Sequence, residues 1–197
     1  MARLSSKINI NTNYISMKKA VATIVTIIIC HAYGYSQLCM TRTGFIGFYS
    51  KTSLEDINAE NNQVYSVIDA GKKNLAFSVL LKGFIFKKEL MQEHFNENYV
   101  ESDKYPKASF TGSFTDDLSL TTNGVYKIKV KGNLTLHNIT KAIEVPATLE
   151  VNNGQVKGSS EFKLKPEDFN ISIPSIVRDK IEGEITVHVK IECNTSK

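Results

Sequence analysis

The sequence contains no tryptophan, and its 197 residues include only three cysteines, four prolines and eleven glycines. Three cysteines are too few for a small domain built on disulfides. So little proline and glycine, with 42% hydrophobic residues, excludes collagen and wholesale disorder. The length is sufficient to close one hydrophobic core of ordinary domain size.

Acidic residues are absent from the first 36 residues, whose charged side chains are Arg3, Lys7, Lys18 and Lys19. These four residues account for the formal net charge of +4, so the rest of the chain is neutral. A neutral body lacks the positive surface needed to bind nucleic acid or an anionic membrane. We therefore expect no nucleic-acid partner.

An apolar run at residues 20–30 (AVATIVTIIIC) follows Met17 and two lysines, and small residues precede Gln37. This order is typical of a secretory signal peptide, and the run is shorter than the ~20 residues of a bilayer-spanning helix. We predict a signal peptide at 17–36, cleaved between Ser36 and Gln37, and an exported domain at 37–197. Residues 1–16 are interpreted as a misassigned start. The protein is then periplasmic or secreted, with no stable membrane anchor. The alternatives are an uncleaved anchor or a buried helix.

The three cysteines bear on anchoring and on cross-linking. Cys30 lies inside the apolar run, and Cys39 follows Leu38 where a lipoprotein signal needs a small residue, so a lipid anchor is disfavoured. Cleavage leaves Cys39 and Cys193, one near each end. In an oxidising compartment they form either a disulfide or two separate buried thiols, and the sequence leaves both open.

Apolar and polar residues alternate from residue 125 onward. Ile128 and Val130 share one face of a predicted strand, whereas Lys127, Lys129 and Lys131 share the other. Period-two alternation is typical of half-buried strands, since a helix would spread these lysines around its axis. Similar strands are predicted at 143–151, 156–164 and 185–191, and Asn-Gly at 153–154 predicts a tight hairpin.

The first half of the exported chain is also predicted to be β-structure, with one interruption. Segments 44–50, 63–69, 75–81 and 107–114 are rich in aromatic and branched residues. Residues 87–96 (KKELMQEHFN) predict the single short helix. About eight strands joined by short turns indicate an all-β antiparallel barrel or sandwich, and closure into a barrel removes exposed edges.

No catalytic or metal-binding motif is present in the exported chain. Its histidines, His94, His137 and His188, have no second histidine or cysteine within four residues, so metal-ligand spacing is absent. We expect His188 to be exposed and His137 to cap a turn. His94 lies beside the apolar stripe of the predicted helix, either as a core histidine or at a cavity mouth. We therefore predict no catalytic residues, no metal and no cofactor beyond a possible bound lipid.

Three segments resemble the YceI-like polyisoprenoid-binding proteins of bacteria. Residues 132–141 (GNLTLHNITK) resemble the family signature, with Asn138 in place of the usual glycine. Residues 92–95 (QEHF) and 103–110 (DKYPKASF) resemble a second family block, and 162–168 with 185–191 resemble its closing strands. The resemblance covers about residues 44–192. Gln92 replaces the usual arginine, and the usual opening strand with its tryptophan is absent.

The resemblance implies a lipocalin-like extended eight-stranded antiparallel β-barrel, exported to the periplasm, that holds an isoprenoid or other lipid in an apolar channel. Independently of the resemblance, the alternation of the strands identifies side chains that face inward, and the helix and the strand before it add others. These side chains are candidates for the cavity wall because they are apolar, and a dry channel wall cannot satisfy unpaired polar groups. The lipid-binding candidates are Phe77, Val79, Phe84, Phe86, Leu90, His94, Phe95, Phe110, Phe114, Ile128, Val130, Leu134 and Leu136. Plain core packing is the alternative for each of them, because eight-stranded barrels are often filled by their own side chains.

Three functions follow from these observations. The first is a non-catalytic carrier or sequestering protein for an amphiphilic isoprenoid or similar lipid. The second is a structural or partner-binding barrel of the cell envelope with a filled interior. The third is a hydrolase or isomerase acting on a lipid in the cavity, for which His94 is the sole plausible general base. The oligomeric state is not indicated.

Overall fold

Antiparallel strands make up most of the chain that the structure describes. The structure is a computed structural model, and it describes residues 37–51, 56–172 and 183–195. The predicted segments 1–16 and 17–36 lie outside the described residues. The strands are β1 (Leu38–Ser50), β2 (Ile57–Asp69), β3 (Asn74–Leu80), β4 (Ile85–Phe86), β5 (Lys107–Phe114), β6 (Gly124–Leu136), β7 (Ile139–Asn152), β8 (Gln155–Leu164) and β9 (Ile185–Asn194).

Eight of these strands close into a barrel. Their order around the wall is β1-β9-β8-β7-β6-β5-β3-β2, and pairing of β2 with β1 completes the circle. The two-residue strand β4 lies against β2, where Phe86 pairs with Ala59. The predicted eight-stranded antiparallel barrel with one short helix is therefore confirmed.

The alternation of apolar and polar residues in the sequence corresponds to side chains that alternately face the inside and the outside of the barrel. In β6, Ile128 and Val130 are buried whereas Lys127, Lys129 and Lys131 are exposed. Successive side chains of a strand point to opposite faces, so period-two sequences place every second residue inside.

Two-residue hairpins at Asn153-Gly154 and at His137-Asn138 connect β7 to β8 and β6 to β7. All four residues have positive φ, at 49° and 85° in the first hairpin and 50° and 59° in the second. Positive φ at both central positions matches the twist of the flanking strands. Asn138, which replaces glycine in the family signature, is one of the residues that tolerates this conformation.

The helix α1 (Glu89–His94) lies between β4 and β5 and is shorter than the predicted 87–96. Lys88 precedes it with extended backbone angles and no side-chain cap. After His94 the chain widens into a π turn, Phe95–Tyr99, in which the Val100 N–H donates to the Phe95 carbonyl at 2.9 Å. No helix among the described residues has the length and apolar character to cross a bilayer.

The core at the end of the barrel where β1 begins and β9 ends is buried. Leu120, Val156 and Phe114 are buried there with the Cys39–Cys193 pair. The two cysteines form a disulfide with Cα atoms 5.8 Å apart, which decides between the two alternatives left by the sequence. This bond joins the start of β1 to the end of β9, so it ties the first and last strands together.

Candidate functional site

An apolar cavity of about 510 Å³ occupies the barrel interior. Small-molecule sites typically have volumes of roughly 300–1,000 Å³ and mostly hydrophobic walls. All eight strands of the barrel contribute inward-facing side chains, such as Ile46, Ile68, Val79, Phe110 and Val130. The interior is therefore not filled by its own side chains.

Four phenylalanines form the wall of the cavity nearest the helix. The ring of Phe48 in β1 has its centroid 5.3 Å from Phe84, 5.8 Å from Phe86 and 5.6 Å from Phe95. The Phe84 and Phe95 centroids are 5.7 Å apart. Tilted and edge-on ring pairs at these distances are favourable. The cluster joins β1, the segment around β4 and the turn after α1 into one apolar surface.

Ten of the thirteen lipid-binding candidates border the cavity: Phe77, Val79, Phe84, Phe86, His94, Phe95, Phe110, Val130, Leu134 and Leu136. Phe114 and Ile128 face inward but belong to the packed core at the disulfide end. Leu90 is 60% exposed and does not border the cavity, which corrects its expected position. It lies one residue before Met91, which borders the cavity, so the helix turns Leu90 outward.

Several cavity residues were missed by the sequence reasoning. Ile46 and Phe48 are alternate residues of β1, and Val187 and Ile191 lie an even number of residues apart in β9, so each pair faces the same side of its strand. The alternation of the sequence could therefore have identified them as cavity residues. Phe169 is 1% exposed and lies in the short helical turn Pro166–Phe169, where no periodic signal exists. Only the packing of that turn against the barrel places its ring at the cavity.

Few polar side chains border the cavity. Ser50 lies at the end of β1, His94 and Tyr99 belong to α1 and the turn after it, and Thr148, Ser159 and Ser160 belong to β7 and β8. Among the described residues, no group of three or more His, Cys, Asp or Glu side chains could hold a metal ion. In the same part of the chain no hydrogen bond to the His94 ring is found.

His137 links three segments at the helix end of the barrel. Its Nδ1 lies 3.0 Å from the Phe169 carbonyl oxygen, and its Nε2 lies 2.8 Å from Oε2 of Glu101. The Tyr105 ring packs edge-on against the imidazole, with centroids 4.6 Å apart. The hydrogen bond from His137 lowers the pKa of Glu101 below its usual range. These contacts are long-range, which differs from the expected turn-capping role of His137.

His188, by contrast, lies on the outer face of β9, as expected. Its side chain is 42% exposed, with Nδ1 3.3 Å from the Glu161 carboxylate.

The fold and the sequence together identify the family. The family model described as "YceI-like domain" matches residues 38–193, which is nearly all of the barrel. The chain belongs to the YceI-like domain family. The resemblance seen in the sequence is thereby confirmed, including the region of β1 that lacks the usual tryptophan. No curated protein matches the chain.

Solved structures with this YceI-like fold come from several bacteria. A polyisoprenoid binding domain from Saccharophagus degradans, implicated in plant cell wall breakdown, has a TM-score of 0.68 at 12% identity, over 82% of this chain and 99% of that one. Burkholderia cenocepacia BcnA has a TM-score of 0.65 at 15% identity, over 77% and 96%. A Campylobacter jejuni YCEI protein has a TM-score of 0.61 at 20% identity, over 74% and 88%. At these identities the likeness establishes the fold.

Proposed function

We propose that this YceI-like protein is an exported carrier that holds an amphiphilic isoprenoid or similar lipid in its barrel cavity and performs no chemistry on it. The observation that carries the proposal is the apolar cavity of about 510 Å³. Each methylene transferred from water into such a cavity contributes ~0.8 kcal/mol. A long hydrocarbon chain is therefore the ligand class that gains most from this wall.

The likeness to a polyisoprenoid binding domain supports an isoprenoid as the ligand. The Cys39–Cys193 disulfide supports export to the periplasm or the exterior, because disulfides persist in oxidising compartments. The alternative of a structural barrel required a filled interior, and the cavity gives that alternative no support.

The experiment is native mass spectrometry of protein purified from its own host, followed by solvent extraction and lipid analysis. We expect one class of long-chain lipid at close to one molecule per protein. A matched pair of variants then locates the ligand. Ala108 borders the cavity, whereas Ala142 is exposed on the outer face of β7.

Ala108→Phe adds a ring inside the cavity, so we expect loss of most of the bound lipid. Ala142→Phe adds the same ring outside, and we expect wild-type occupancy. Undiminished lipid in Ala108→Phe would show that the ligand lies elsewhere. Protein from the host that contains no lipid, and binds none when it is supplied, would refute the carrier function.

A further inference from the structure

The barrel wall is split between β7 and β8. These strands share only five register pairs, from Thr148↔Ser159 to Asn152↔Gln155, next to their hairpin. By contrast, β7 shares thirteen pairs with its other neighbour β6, and β8 shares ten pairs with its other neighbour β9. Residues 139–147 of β7 and 160–164 of β8 therefore have no ladder partner across this boundary. We call the space between these two stretches the seam.

Pro146 explains why the ladder stops where it does. In an antiparallel ladder alternate residues direct their N–H and C=O groups to the same neighbouring strand. The Pro146 carbonyl is directed toward β8, because it accepts a hydrogen bond from Ser160 Oγ at 2.6 Å. The missing N–H of proline is therefore on the β8 side, two residues before Thr148 in the chain. Proline cannot donate to a ladder, so pairing ends at this position.

The charged side chains beside the seam also turn away from it. Continuing the register of the five pairs would place Glu144 opposite Lys163. Glu144 instead lies 3.2 Å from Lys131 of β6, and Lys163 lies 3.3 Å from Glu184 at the start of β9. Each strand directs its charge to its outer neighbour, and among the described residues no ion pair crosses the seam.

The cavity extends to the barrel wall at this seam. Most strand residues that border the cavity face inward in the alternation of their strands, as Val145 and Phe162 do. Thr148 and Ser159 lie at outward-facing positions, next to the inward-facing Leu149 and Gly158, and they too border the cavity. They form the last pair of the ladder, so the cavity meets the wall where β7 and β8 stop pairing. The other end of the seam is bounded by the hydrogen bond between His137 and the Phe169 carbonyl.

The side chains along the seam suit a hydrocarbon chain. Ile143, Val145 and Ala147 of β7 and Phe162 and Leu164 of β8 all border the cavity. Hydroxyl groups of Thr148, Ser159 and Ser160 lie at the end where the ladder begins. The ladder between β1 and β9 also has only five pairs, but there the Cys39–Cys193 disulfide joins the two strands beyond them.

We propose that the seam is the ligand passage: an amphiphile with a long apolar chain enters the cavity sideways between β7 and β8, and its polar end group stays at the opening beside Thr148, Ser159 and Ser160. This inference rests on the proposed function, since it concerns the same cavity. It assigns ligands with a polar terminus, rather than pure hydrocarbons, to the site.

The test is a cross-link across the seam. Glu144→Cys with Lys163→Cys places two exposed thiols on opposite sides of it, and a bifunctional maleimide then bridges them in the folded protein. The control is Thr111→Cys with Asn133→Cys, an exposed pair within the continuous ladder of β5 and β6. Both carry Cys30→Ser, and the Cys39–Cys193 disulfide does not react. The probe is cis-parinaric acid, a fluorescent polyene with one carboxylate, followed by stopped-flow fluorescence.

We expect the bridged seam to slow association and release of the probe at least ten-fold, while the bridged control exchanges at the wild-type rate. Wild-type rates in the bridged seam variant, with the probe still bound, overturn the seam passage and leave the carrier function standing. Failure of the unmodified protein to bind the probe counts against the seam passage and the carrier function together.

Discussion

The disulfide offers the sharpest quantitative test of how the barrel is closed. Cys39 and Cys193 are separated by 154 residues, and beyond the five register pairs of β1 and β9 this bond lies beside a backbone bridge between Cys39 and Thr195. A cross-link of this span removes loop-closure entropy from the unfolded chain equivalent to ~5 kcal/mol, and measured losses of native disulfides are typically about 2–5 kcal/mol. We therefore expect Cys39→Ala/Cys193→Ala to lose about 3–5 kcal/mol of unfolding free energy.

In a domain of this size each kcal/mol corresponds to roughly 2–4 °C in Tm, so the expected decrease is roughly 6–20 °C. The assay is thermal and denaturant unfolding of wild-type protein, oxidised and after unfolding and refolding in dithiothreitol, beside the double variant. Cys39 is fully buried, so reduction requires the unfolding step. The double variant should be insensitive to dithiothreitol, which separates the cross-link from the loss of two side chains. Equal Tm values for oxidised and reduced wild type would refute the reasoning.

Two further predictions concern the signature residues and the link at the helix end. Gly132→Ala should cost about 1–3 kcal/mol in denaturant unfolding, since its Cβ would overlap the Thr111 carbonyl and Gly112 Cα. Gly124→Ala in the same strand meets its nearest atom at 3.6 Å and should be nearly neutral, and equal losses in the two would contradict the argument. The pKa of Glu101 is lowered by His137 from an ordinary value of 4.5, so its contribution to stability is present above that value and is lost as the pH falls through the lowered pKa. Glu101→Gln should flatten the acid side of a Tm-against-pH profile, and an unchanged profile would exclude this link as a source of acid sensitivity.

Alternation carried most of the fold prediction, because a strand with one face in a core must repeat every second residue. The strands from residue 125 onward follow from it directly, and so do six of the ten candidates that border the cavity; the other four came from the helix and the segment before it. The three candidates that do not border the cavity share one feature. Leu90, Phe114 and Ile128 satisfy the local pattern, but a helix rotation or a position along the barrel axis decides whether such a side chain borders the hollow or the packed end.

By itself, the sequence determined the strand-rich body, the hairpin at Asn153-Gly154, the short helix before β5 and the family to which the chain belongs. Those features depend on neighbours along the chain or on one residue's backbone preference. The tertiary structure decided that Cys39 meets Cys193, that His137 binds Glu101 and Phe169, and that the ladder between β7 and β8 ends at the Thr148–Ser159 pair. Each of these depends on which distant segments barrel closure brings side by side and on the register in which they pair. No local stretch of residues determines either.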